Sequence, residues 1–139
     1  MSNKRCKLTI IRGIPGSGKS IFAKTNFNCL ILENDMYHMH NGNYEWKFSN
    51  MKYATNFIYE TCKNALHNGM DVVVANTFTR VKFIVPYKRL AEEMDADFEV
   101  LRCAGNWQNT HNVPQDVLES MSINFEDWHG ETIVNGMGE

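Results

Sequence analysis

Residues 8 to 20 read Leu-Thr-Ile-Ile-Arg-Gly-Ile-Pro-Gly-Ser-Gly-Lys-Ser, and this stretch leaves the chain little choice of fold. Leu8 to Ile11 is an apolar, β-rich run that stops at Gly13, and Gly13, Gly18, Lys19 and Ser20 have the spacing G-x-x-x-x-G-K-S. Glycines at 13, 16 and 18 permit backbone conformations closed to residues with a Cβ, so successive N–H groups can turn inward around an anion. A helix expected to start near Gly18 brings its positive N-terminal end to the same point. This is the pattern of a loop that wraps the phosphates of ATP. Gly13, Ile14, Pro15, Gly16, Ser17 and Gly18 form the wrap, Lys19 reaches the β- and γ-phosphates, and the Ser20 hydroxyl is offered to Mg²⁺.

The rest of the chain alternates strand and helix. A short helix is expected over 20–26, with Ile21 and Phe22 as its apolar contacts. Cys29 to Leu32 reads as a strand buried on both faces, delivering Glu33, Asn34 and Asp35 at its carboxyl end, where ligands of open α/β sheets bind. Residues 36–50 contain Asn41-Gly42-Asn43 and read as an irregular excursion. Met51, Ala54, Phe57 with Ile58, Thr61 with Cys62, and Ala65 recur at helical spacing, and His67-Asn68-Gly69 is a stop signal. Val72 to Ala75 is a third strand, and Asn76 to Arg80 leaves it at the same sheet edge. Phe83, Tyr87, Leu90 and Met94 mark a helix face, with a regular start expected near Val85 so that Pro86 lies in the first turn. Phe98 to Cys103 is a fourth strand, 105–113 a turn-rich connector, and Pro114 a helix start. Val117 or Leu118, Met121, Phe125 and Trp128 would form the last helical stripe, with Thr132 to Val134 as an edge strand. The order implies an α/β fold: one domain over 1–139 that opens on the phosphate loop, with a parallel sheet of four to five strands and helices on both faces.

Composition narrows the class further. A hydrophobic content of 43% and a charged content of 22% are ordinary for a folded domain. No apolar run approaches the ~20 residues needed to span a bilayer, and no signal-peptide core precedes the first strand, so a cytoplasmic protein without membrane partners is expected. Cys6, Cys29, Cys62 and Cys103 contain no Cys-x-x-Cys pair and read as reduced thiols. The net charge of −2 gives no general attraction for nucleic acid. All fourteen Lys and Arg lie at or before Arg102, and residues 103–139 hold six acids and no base.

Several stretches together resemble one family. Gly13 to Ser20, Asn34-Asp35-Met36-Tyr37, Asn76-Thr-Phe-Thr79 before Pro86-Tyr87, and His111-Asn-Val-Pro-Gln-Asp-Val-Leu118 before Met121 are similar to the small P-loop kinases of phage polynucleotide 5′-hydroxyl kinase type and to related phage and bacterial ATP-binding proteins. The resemblance implies transfer of the ATP γ-phosphate to a hydroxyl, a polynucleotide 5′ end or a nucleotide, in the host cytoplasm if the protein is phage-encoded. It also implies that Asp35 is the general base. A carboxylate within reach of a hydroxyl takes its proton as the bond to phosphorus forms.

Four departures accompany the match. His38 stands where that family has an arginine, and the segment 105–112 is too short for an arginine-bearing lid and holds no base. Asn124 replaces an arginine of the last helix, and Ala75 replaces an acid before Asn76-Thr77. Arg12, Arg80, Lys82 and Arg102 are the cations left to compensate, with Arg80 foremost because it follows Asn76-Thr77 at the sheet edge. These losses keep open an ATP-binding module that hydrolyses slowly and acts through a partner, and a nucleoside or nucleotide kinase. Asp35, His38 and His40 as metal ligands are a weaker reading than His38 as a weak, pH-dependent substitute for an arginine, and Tyr37, Tyr44, Trp46 and Phe48 as base-stacking aromatics are weaker than a covered core edge. Trp107 and His111 are read equally as adenine neighbours or as a structural tether.

Overall fold

The computed structural model describes residues 5–33, 39–40, 43–44, 51–104 and 115–134. Strand β1 (Lys7–Arg12) leads through the glycine loop into helix α1 (Lys19–Asn26), then β2 (Leu30–Glu33). Two-residue strands β3 (Met39–His40) and β4 (Asn43–Tyr44) pair antiparallel inside the stretch expected to be irregular. The chain continues through α2 (Met51–His67), β5 (Val72–Asn76), α3 (Val81–Glu93), β6 (Asp97–Cys103), α4 (Gln115–Ile123) and β7 (Thr132–Val134).

The sheet has five strands in the order β2-β5-β1-β6-β7, and every pair in it is parallel. The α/β fold expected from the sequence is therefore present, including β7 at the edge. Central β1 is covered on both sides, and from Leu8 to Arg12 it is buried throughout. Side chains alternate along it with period two. Leu8 and Ile10 join Val72 and Val74 in a core with Ile58, Cys62, Ile84, Tyr87 and Leu90 of α2 and α3. Ile11 joins Val73 and Ala75 in a core with Phe22 and Ala23 of α1 on the opposite face.

The helices show where periodicity misleads. On α1 the buried pair is Phe22 and Ala23, and Ile21 is half-exposed, contrary to its expected role. On α2 the stripe runs Ala54, Ile58, Cys62, Ala65 and Leu66, and Phe57 is left half-exposed. The small members of that stripe let the helix lie close to the sheet. Its end is as expected: Gly69 takes φ +80, donates to the Leu66 carbonyl, and Met70 N donates to Ala65 O.

Helix α3 begins at Val81 and not near Val85, so Pro86 lies inside it and offers no N–H to the carbonyl four residues back. Its buried face is Ile84, Tyr87, Leu90 and Ala91, with Phe83 outside. Tyr87 makes edge-to-face contacts with Phe78 and Tyr59 at ring-centroid distances of 5.7 and 5.5 Å. Helix α4 ends at Ile123, so Phe125 and Trp128 are not on its stripe; Trp128 packs instead edge-on against Phe98 of β6.

The cysteines are free thiols, with Cys62 and Cys103 buried. Among the described residues no helix is long and apolar enough to cross a membrane.

Candidate functional site

Three parallel strands deliver their carboxyl ends side by side at the loop. Arg12, the last residue of β1, is in register with Asn76 of β5 and Arg102 of β6. Gly13 N then donates to Thr77 O at 3.3 Å, and Ser17 N closes a turn onto Ile14 O at 3.1 Å. Gly16 and Gly18 adopt φ of 84° and 92°, the left-handed region in which a Cβ is penalised. Gly18 is the N-cap of α1, and the first turn of that helix contains no acidic residue of its own. The Lys19 ammonium donates to Ile14 O at 3.1 Å, across the mouth of the loop. Ser17 is buried and its hydroxyl has no partner among the described residues, an exception to the pairing normal for buried polar groups.

Gly13 is needed for a different reason from its neighbours. A Cβ added there would lie 2.9 Å from the carbonyl oxygen of Cys103 and would also collide with Ser17 Oγ. The carbonyl belongs to the end of β6 and cannot swing aside. Gly13→Ala is expected to lose about 1–3 kcal/mol of stability by overpacking. It should also lose nucleotide binding, measured by thermal unfolding and calorimetric titration; a fully stable variant that binds normally would show that β6 yields at this point.

Cys103 lies beneath the same loop. Burial pushes its thiol up to about 11, and the charge of Lys19 works in the opposite direction. A thiol so protonated is a packing group and not a nucleophile.

In the first turn of α1, the Ser20 hydroxyl donates to Glu33 Oε1 at the end of β2. The acidic end of β2 thus faces the phosphate loop as expected, through Glu33. Both are hard oxygen donors of the kind Mg²⁺ takes, so the residues present fit that ion. Asp35, two residues further on, lies outside the described residues, as do His38, Trp107, His111 and the connector 105–112.

The cations expected to compensate for missing arginines divide sharply. Arg12 is fully buried and spent inside the fold. Its Nε and Nη2 donate to Phe78 O at 3.1 and 2.7 Å, and Nη2 also donates to Glu126 O at 2.7 Å. Its Nη1 pairs with Glu131 Oε1 at 2.7 Å. Arg102 pairs with Asp127 at 2.6 Å and Glu131 at 3.2 Å. Both guanidinium carbons lie close to the Phe125 ring, 4.3 and 4.4 Å from its centroid. Burial lowers the pKa of Arg12, and its hydrogen bond to Glu131 opposes that shift. Arg12 cannot serve a phosphate without dismantling this cluster, which corrects its place among the compensating cations, and Arg102 has its charge already shared by two carboxylates through Nη1.

Arg80 and Lys82 are exposed. Arg80 is the N-cap residue of α3 at the carboxyl edge of β5, and the backbone around it is held at consecutive positions. Thr77 O accepts from Gly13, Phe78 O from Arg12, and Thr79 O from Glu126 N, while Val81 N donates to Glu126 Oε1 at 2.7 Å. Phe78 sits at φ 45°, a conformation uncommon for a bulky residue and kept here by the bidentate arginine.

Nothing in the local spacing marks Glu126 and Glu131 as partners of β1 and β6. The one available signal was Arg12 itself, a charge in a buried strand that needs an acid from somewhere.

Sheet order, left-handed glycines and the Lys19–Ser20 pair define a P-loop α/β domain of the kinase type. The chain belongs to the AAA domain family AAA_33, whose model matches residues 8–126. It is 30% identical over 137 residues to the uncharacterized protein PM0531 of Pasteurella multocida strain Pm70, covering 86% of this chain and 76% of that protein. Its fold is similar to that of a sugar kinase from Janibacter sp. HTCC2649, with a TM-score of 0.62 and 14% identity over 94% of this chain and 84% of the other. Kti12 of Chaetomium thermophilum, solved in complex with ADP-AlF3, is similar at a TM-score of 0.62 and 12% identity, covering 91% of this chain and 88% of that one.

Proposed function

We propose that the chain is a kinase that moves the γ-phosphoryl group of ATP onto a hydroxyl, that of a polynucleotide 5′ end or a nucleotide. The observation that carries the reading is the loop itself: left-handed Gly16 and Gly18, a helix with no acid of its own in the first turn, and Lys19 bonded to Ile14 O. ATP would lie on Gly13 to Ser20, with Lys19 against the β- and γ-phosphates and Ser20 holding Mg²⁺. The ion, when bound, supplies neutralisation of charge on the phosphate oxygens. Asp35 takes the proton of the acceptor hydroxyl as its oxygen bonds to the γ-phosphorus. The bond from that phosphorus to the bridging oxygen breaks, ADP leaves, and the proton passes from Asp35 to water. Arg80 stabilises charge that develops on the transferring group.

The acidity of the C-terminal quarter bears on the acceptor. Glu131 is buried against Arg12, whereas Glu126 and Asp127 pair with Val81 N and Arg102 and still face solvent with Asp116 and Glu119, which favours a short 5′ end or a nucleotide over a long duplex tract.

A second reading, an ATP-binding module that hydrolyses slowly and works with a partner, is favoured by the burial of Arg12 and the pairing of Arg102. Single-turnover mixing with γ-labelled ATP and a panel of 5′-hydroxyl oligonucleotides, nucleotides and nucleosides separates the readings. Label in an acceptor is the expected result and identifies its class. Label that stays in ATP or appears only as free phosphate removes the kinase. Asp35→Asn should keep ATP binding and lose about 10²-fold or more in transfer; unchanged transfer would dismiss Asp35 as the base.

A further inference from the structure

The loop serine has a partner from another strand. Ser20 belongs to the first turn of α1 and Glu33 closes β2, and the hydroxyl of the first donates to the carboxylate of the second. Glu33 is in register with Ala75 of β5. β5 runs one residue further, to Asn76, and of the two positions at the level of Glu33 only the one on β2 carries a carboxylate.

We propose that Glu33 is a positioning residue for the divalent cation, acting through the Ser20 hydroxyl; the inference rests on the nucleotide reading above. A serine oxygen has one proton and two lone pairs. Donating the proton to Glu33 fixes the rotor, directs the lone pairs away from the carboxylate, and increases the electron density available for a metal. The carboxylate also places a full negative charge beside a divalent ion. Partners of this kind behind a metal ligand are worth about 10- to 100-fold in metal affinity. If Glu33 served only to tie α1 to β2, its loss would weaken nucleotide binding equally with and without metal.

The test is calorimetric titration of a non-hydrolysable ATP analogue into the native protein and Glu33→Gln, across a Mg²⁺ series and in EDTA. The expected result is a Mg²⁺ midpoint raised about 10- to 100-fold in the variant, with affinity in EDTA unchanged or tighter. An unaltered midpoint, or equal weakening in both conditions, overturns the proposal while leaving the nucleotide site in place. A native protein that binds no analogue in either condition overturns the nucleotide reading and this one with it. Should Glu33→Gln fail to fold, native protein labelled with ¹³C in its glutamate carboxyls decides the matter. Mn²⁺ with the analogue should broaden the Glu33 resonance beyond detection, and a sharp, unshifted Glu33 signal would refute its place at the ion.

Discussion

Arg12→Ala should lose about 3–5 kcal/mol of folding stability, because removing one member of a buried ion pair strands the other. Glu131 would keep only Arg102 at 3.2 Å, and the carbonyls of Phe78 and Glu126 would lose their donors from Arg12. Set against a total of about 5–15 kcal/mol for an ordinary domain, that is a large share. For a chain of this length it corresponds to a fall in Tm of about 10–20 °C, read by circular dichroism. Arg12→Lys should recover only part of it, since an ammonium cannot reproduce a planar fork that reaches Phe78 twice. A Tm within a degree or two of the native value in Arg12→Ala would mean that the cluster contributes nothing net.

Lys19→Ala should reduce use of ATP by about 10³-fold or more in kcat/KM, the scale on which cations and donors aimed at a transferring phosphoryl group act. Its stability should scarcely change, because the side chain is partly exposed and its bond to Ile14 O is worth only about 1 kcal/mol. The two variants therefore separate cleanly: one alters melting, the other turnover. Retained turnover in Lys19→Ala would remove the loop lysine from the mechanism.

Particular elements show how far one-dimensional patterns reach. The strands were legible because a parallel sheet covered on both faces leaves continuous apolar runs, and Val72 to Ala75 is one of them. Helix existence was legible for the same kind of reason, but helix phase was not. Periodicity says that a face exists, and only the neighbour decides whether Phe83 or Ile84 lies on it. On α3 the sheet took Ile84 and left Phe83 half-exposed. The stripe drawn through Phe125 and Trp128 failed differently: their spacing continues the helical period past Ile123, where the chain has already turned to bring Phe125 against two arginines.

What the amino-acid order decided alone is the phosphate loop, since its requirements sit within eight consecutive residues: two left-handed glycines, a lysine and a hydroxyl. Local conformational demand of that kind survives any tertiary context. The tertiary structure decided which charges remain available to a ligand. Arg12 meets Glu131 across a sequence separation of 119, and Arg102 meets Asp127 across 25. Spacing along the chain does not encode such partners. Burial does, because a guanidinium drawn under the sheet edge must find a carboxylate there or leave the fold.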